Sequence, residues 1–181
     1  MTEAIERLRV GLIGATGRWG PSAHIPAIQN LPETELYAVC TAHEETAQIA
    51  SEKYSVEPAY HNDQTMNGNP QVEAISVAVR VPAHYELTKN AIEAGKHVFC
   101  EWPLGSDSEQ ADKMALLAKQ KGVKTMVALQ SRYAPSFQHL RNLVAEGYAG
   151  NILSANMSMF LPGILRPRPE RATWNAKREA G

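Results

Sequence analysis

Between residues 9 and 145 the chain alternates short β-branched runs with helix-length amphipathic segments, and this alternation limits the possible folds most. Arg9-Val10-Gly11-Leu12-Ile13-Gly14 is an apolar run ending in glycine, the form of a strand covered on both faces. Further strands are expected over residues 36–41, 74–79, 97–100 and 124–129. A helix is expected over residues 24–31, with Ile25, Ile28 and Leu31 on one face and Pro26 in the first turn. Others are expected over 44–54, near Asp63, after Pro82 with Gly95 as its stop, and after Pro135 with Phe137, Leu140 and Val144 on one face. Ser106-Asp107-Ser108-Glu109 reads as a capping box with Ser106 as the cap, opening a helix that ends at Gly122. Helix-length connections are what parallel strands require, so the expected fold class is α/β, a doubly wound parallel sheet.

The pattern changes after Gly150. From residue 151 to 159, Leu153, Ala155, Met157 and Met159 alternate with Ser154, Asn156 and Ser158, the period of a strand buried on one face. Residues 162–181 are rich in proline and arginine and show no period. The expected organisation is one doubly wound α/β domain over residues 1–149, followed over 150–181 by the truncated start of a second domain built on an antiparallel sheet.

Charge and composition remove several classes of function. Eighteen basic against nineteen acidic side chains leave no cationic excess to meet phosphates, so direct nucleic-acid binding is not expected. No segment has the roughly 20 apolar residues of a membrane span. The opening residues carry Glu3 and Glu6 and do not read as a signal peptide. The two cysteines, Cys40 and Cys100, fall at the ends of expected buried strands and suit reduced thiols in a cytoplasmic protein. The six histidines form no HxxxH pair, and no metal site is expected.

Gly14-Ala15-Thr16-Gly17-Arg18-Trp19-Gly20 lies between the first strand and the first helix, where glycines let backbone amides approach a pyrophosphate. Thr16 stands where the strict fingerprint has its second glycine. At the end of the second strand, where a carboxylate would bind the adenosine ribose, the chain reads Cys40-Thr41-Ala42-His43, with no acid before Glu44. Without that acid a 2′-phosphate is not repelled, and Thr41 or His43 can hydrogen-bond one. The cofactor is therefore expected to be NAD or NADP, with NADP slightly favoured.

Three runs resemble the Gfo/Idh/MocA family of glucose–fructose oxidoreductases and inositol dehydrogenases. They are His24-Ile25-Pro26-Ala27-Ile28, Gly95-Lys96-His97-Val98-Phe99-Cys100-Glu101-Trp102-Pro103-Leu104, and Gln130-Ser131-Arg132-Tyr133-Ala134-Pro135. The resemblance extends over about residues 8–160 and implies a Rossmann domain followed by an α/β domain with a large open sheet. That sheet, by the same resemblance, holds the substrate and joins the subunits of a homo-oligomer. Carried over by position, Gly14, Thr16, Gly17 and Trp19 line the pyrophosphate loop and Thr41 meets the adenosine ribose. Val79, Arg80, Val81 and His84 follow the fourth strand, Glu101 meets the nicotinamide ribose, and Trp102 and Gln130 flank the nicotinamide.

One departure bears on chemistry. The family's usual Glu-Lys-Pro is Glu101-Trp102-Pro103 here, and an indole N–H only donates, so it cannot act as acid or base. It can stack on a planar or sugar ring. The Glu-Trp pair, Trp19 and the Leu129-Gln130-Ser131-Arg132 run resemble a subgroup that includes the fungal galactose-pathway repressor. The resemblance thus implies a hydride-transferring oxidoreductase acting on a sugar-like or cyclitol substrate. Its alternative is a non-catalytic, dinucleotide-binding regulator. The family's catalytic histidine and its carboxylate partner lie in the second domain, so the catalytic residues are unknown and the chain alone is expected to bind cofactor without turnover.

Overall fold

The computed structural model describes residues 6–158. Contacts divide the chain into two compact units, the first ending at Ala128 and the second beginning at Leu129.

The first unit holds a six-stranded sheet: β1 (Leu8–Ile13), β2 (Thr34–Cys40), β3 (Ala59–Tyr60), β4 (Ala74–Val77), β5 (His97–Glu101) and β6 (Thr125–Ala128). Every pairing is parallel, in the order β3-β2-β1-β4-β5-β6. The order reverses direction between β1 and β4, so the connections after these two strands leave opposite faces and open a crevice at the carboxyl edge. The five strands expected between residues 9 and 129 are all present. β3 is added to them, two residues paired to Val39 and Cys40 and too short to leave a period.

The connecting helices are α1 (Ile25–Asn30), α2 (Glu44–Tyr54), α3 (Asp63–Asn67), α4 (His84–Glu93) and α5 (Ser108–Lys121). A π-helical turn, Gly20–His24, runs directly into α1, so the first helical segment begins four residues ahead of His24. Two apolar layers sandwich the sheet. On one face Ile13, Ala38, Met66, Ile75, Val77 and Ile92 meet Met114 and Ala118 of α5. On the other, Leu12, Val39, Ile25, Ala50 and Val56 pack together. At about 25 cal/mol per Å² of apolar surface removed from water, such layers are the main favourable contribution to the fold.

Polar ties close the ends of elements. The α5 cap differs from the expectation: Asp107 accepts the Gln110 amide at 2.8 Å, and the Gln110 side chain returns to the Ser106 amide at 3.0 Å. The capping pair is therefore Asp107 and Gln110, one position later than Ser106 and Glu109, because a carboxylate at the N-cap also meets the positive end of the helix dipole. Lys96 is buried and donates to the carbonyls of Asn69 (2.8 Å) and Val72 (2.7 Å), tying the connection between α3 and β4 to the start of β5. Burial lowers its pKa from the usual ammonium value, against the opposing pull of Glu73. Cys40 and Cys100 are free, buried thiols.

The second unit begins with a 3₁₀ turn, Gln130–Tyr133, and α6 (Pro135–Ala145). Phe137, Leu140 and Val144 share a face of α6 as the sequence indicates, and all three are exposed. The strand expected over 151–159 does not form in residues 151–158, where Leu153 is 96% and Met157 71% exposed. A strand needs a neighbour for its backbone groups, and residues 151–158 have none among the described residues; residue 159 lies outside them. Among the described residues no helix is long and apolar enough to cross a membrane.

Candidate functional site

The carboxyl ends of β1, β2, β4 and β5 lie side by side, and each carries a segment that the sequence singles out. After β1 the chain turns at Gly14, whose φ of +100° is outside what a side chain readily accepts. A Cβ at Gly14 would stand 2.3 Å from the Ala78 carbonyl oxygen, beyond β4. A Cβ at Gly20 would stand 2.3 Å from the Gly14 carbonyl. The two glycines thus let the loop fold back on itself and lie directly against the switch point.

Within the loop, the Gly14 amide donates to the Cys40 carbonyl (2.9 Å) and the Gly17 amide to the Gly14 carbonyl (3.0 Å). The amides of Thr16, Arg18 and Trp19 meet no backbone carbonyl among the described residues. Thr16 and Gly17 are exposed, and Trp19 is 47% exposed with the Arg18 guanidinium 5.2 Å from its ring centre. Open backbone amides, a neighbouring cation and two tight glycines fit a diphosphate.

At the end of β2, Thr41 is buried; its hydroxyl lies 2.9 Å from the His43 carbonyl and 2.7 Å from the Thr46 hydroxyl. The exposed His43 is the N-cap residue of α2, and its side chain makes no capping bond. Glu44 and Glu45 occupy the first turn.

After β4 come Val79, half-buried, Arg80, exposed and partnered, and Val81, buried in a 3₁₀ turn Val81–Ala83. His84 opens α4 and is 1% exposed. Its Nδ1 lies 2.6 Å from the Pro103 carbonyl oxygen and its Nε2 3.1 Å from that of Val79. A carbonyl only accepts and a neutral imidazole carries one N–H, so the ring donates to one of these oxygens and lies against the other, between the loop after β4 and the loop after β5.

Glu101, the last residue of β5, is 7% exposed and faces His24, with Oε1 2.6 Å from Nε2. His24 Nδ1 is in turn 2.7 Å from the Ser76 hydroxyl of β4. A carboxylate only accepts, so Nε2–H donates to Glu101, and Nδ1 meets the Ser76 hydroxyl, which can donate or accept. Trp102 follows at 63% exposed, and its bond to Pro103 is cis.

The sheet edge thus gathers Gly14, Thr16, Gly17, Trp19, Thr41, Val79, Arg80, Val81, His84, Glu101 and Trp102 in one unit. Gln130 is the first residue of the 3₁₀ turn in the other unit. Sequence reasoning missed His24 and Ser76 as partners of Glu101. The motif containing His24 was a signal, but a bond across 77 positions leaves no local period.

Comparison with known proteins agrees with this arrangement. Residues 8–129 match the family model of the Gfo/Idh/MocA oxidoreductases, described as their NAD-binding Rossmann fold. The chain is 33% identical over 162 residues to dehydrogenase aclE of Aspergillus oryzae, covering 84% of this chain and 44% of that protein. It is 31% identical to myo-inositol 2-dehydrogenase of Thermotoga maritima, covering 79% and 42%. It is 29% identical to the galactose/lactose metabolism regulatory protein GAL80 of Saccharomyces cerevisiae, covering 83% and 37%. Among solved structures, an NAD-binding oxidoreductase from Klebsiella pneumoniae superposes with a TM-score of 0.72 at 35% identity, over 78% of this chain and 39% of that one. A 3-ketoreductase from Actinomadura kijaniata, solved with NADP and TDP-benzene, gives 0.72 at 27% identity, over 78% and 44%. The chain spans less than half the length of these relatives. With the strand order, the glycine loop at the switch point and the family match all in agreement, the chain belongs to the Gfo/Idh/MocA oxidoreductase family, and residues 8–129 are its NAD-binding Rossmann domain.

Proposed function

We propose that the protein carrying this domain is an NAD(P)-dependent oxidoreductase acting on a sugar-like or cyclitol alcohol. The observation that carries this reading is the Gly14–Gly20 loop, which sets unfilled amides at the switch point beside Arg18. Thr16, Gly17 and Trp19 would line the pyrophosphate with Gly14 beneath it, and the Arg18 guanidinium would offset its charge. Thr41 and the exposed His43 would meet the adenosine ribose. No carboxylate closes β2, which favours NADP slightly; Glu44 and Glu45 in the next turn keep that preference small. Val79, Arg80 and Val81 would pass the dinucleotide across the sheet, with His84 holding their loop. Glu101 would meet the nicotinamide ribose, and Trp102 would flank the ring.

When bound, the cofactor supplies the hydride chemistry, and the protein supplies orientation and exclusion of water. Trp102 can cover a ring face and donate one hydrogen bond, and it can neither take nor give a proton. Proton transfer is therefore assigned to groups after residue 150, where we place the start of a second, sheet-containing domain that also joins the subunits of a cytoplasmic homo-oligomer.

The full-length protein should reduce NAD(P) in the presence of a panel of sugars and cyclitols, followed at the nicotinamide absorbance. A full-length protein that binds nucleotide and turns over nothing in the panel would favour a second reading, a nucleotide-sensing regulator. Trp102 in place of lysine and the likeness to GAL80 support that alternative.

A further inference from the structure

We propose that His24 and His84 form a two-point clamp that sets the direction of Trp102, and that they are positioning residues for the nucleotide site. This rests on the reading of Trp102 as a wall of that site. The exposed indole lies between two held neighbours. On its N-terminal side the Glu101 carboxylate is fixed by His24 at 2.6 Å; on its C-terminal side the Pro103 carbonyl is fixed by His84 at 2.6 Å. Both imidazoles are buried, His24 at 5% and His84 at 1% exposed. Each is itself held by a second contact, His24 by Ser76 at 2.7 Å and His84 by the Val79 carbonyl at 3.1 Å. His24 also lies against Phe99, the rings 5.4 Å apart, which limits its tilt.

The clamp has a second consequence. His24 ends the π-helical turn that begins at Gly20, directly after Trp19. The His24–Glu101 bond therefore ties the phosphate loop to the segment carrying Trp102, and the Val79–His84–Pro103 bridge ties in the loop after β4. A residue exposed to 63% has little packing of its own to choose a rotamer. Its backbone on both sides must supply the order, and buried hydrogen bonds in low dielectric can do so.

The test uses this chain with Trp19→Phe and Trp174→Phe, which leaves Trp102 as the one tryptophan. His24→Gln, His84→Gln and Ser76→Ala are introduced singly. Each is checked for a cooperative melt, then for Trp102 anisotropy, acrylamide quenching and NADH affinity. Removing one buried hydrogen-bond partner should lower the anisotropy, raise the quenching constant about twofold and weaken NADH roughly five- to tenfold. Ser76→Ala, which loosens His24 without removing it, should move all three in the same direction by less. If a glutamine variant fails to fold, Ser76→Ala and His84→Asn carry the test. Folded variants with unchanged anisotropy and quenching would overturn the clamp. If the chain with its three native tryptophans binds no nucleotide while Trp102 still loosens in the variants, the nucleotide reading fails and the clamp stands.

Discussion

Replacing Gly14 with alanine tests the geometry on which the nucleotide site depends, and two other glycines, Gly122 and Gly20, separate the causes of its cost. At φ +100° a Cβ adds about 1–2 kcal/mol of backbone strain, as for other left-handed positions. The same Cβ meets the Ala78 carbonyl at 2.3 Å, and relieving that overlap requires backbone to move in a packed region, about 1–3 kcal/mol more. The sum, about 2–5 kcal/mol, is a large part of a typical domain's 5–15 kcal/mol. Gly122, at φ +66° with open space around its Cβ position, isolates the strain, so Gly122→Ala should cost only about 1–2 kcal/mol. Gly20, where the clash at 2.3 Å comes without a positive φ, isolates the overlap and should cost about 1–3 kcal/mol. Urea unfolding followed by circular dichroism gives all three values on one scale. Gly14→Ala no more damaging than Gly122→Ala would refute the close approach of the loop to β4.

Further outcomes follow from the caps and the thiols. Asp107→Ala should cost about 1 kcal/mol by removing the α5 cap, while Ser106→Ala should be near neutral; urea midpoints distinguish them, and the reverse order would restore Ser106 as the cap. Burial pushes the Cys40 thiol up to about 12 and Cys100 to about 11. At pH 8 about one Cys40 in ten thousand and one Cys100 in a thousand is then thiolate, so both should react with a disulfide reagent far more slowly than in the unfolded chain. Because their folded values are raised, the thiols' contribution to stability is fully present below pH 9 and is lost as pH rises through about 11 to 12. The melting temperature should fall over that range, and less steeply in a Cys40→Ala, Cys100→Ala chain; native labelling at the unfolded rate would contradict the burial.

The sequence reading succeeded where a signal repeats locally. Val10 to Ile13 and, Ser76 apart, Ala74 to Val77 are apolar because helices cover both sides of a parallel sheet, and that is visible in composition alone. β3 escaped notice because two residues carry no period. The cap at Asp107 was displaced by one residue because Ser106, Asp107 and Ser108 are all competent caps and tertiary context selects among them. Over 151–158 the alternation is present and the strand is not, since a period describes which face a strand would bury and cannot supply its neighbour. Of the candidate site residues, Gly14 and Thr41 were picked out by their place at strand ends and Trp102 by the family resemblance. His24 was not, because its role lies in a bond to Glu101 formed only when β1, β4 and β5 are assembled.

The central claim, a dinucleotide site along the carboxyl edge, is tested most directly by titrating the chain with NAD, NADH, NADP and NADPH while following tryptophan fluorescence. The account predicts saturable quenching, slightly tighter for the NADP pair, and reduced in both Trp19→Phe and Trp102→Phe. A folded chain that shows no saturable change, and no heat by calorimetry, with any of the four would contradict it.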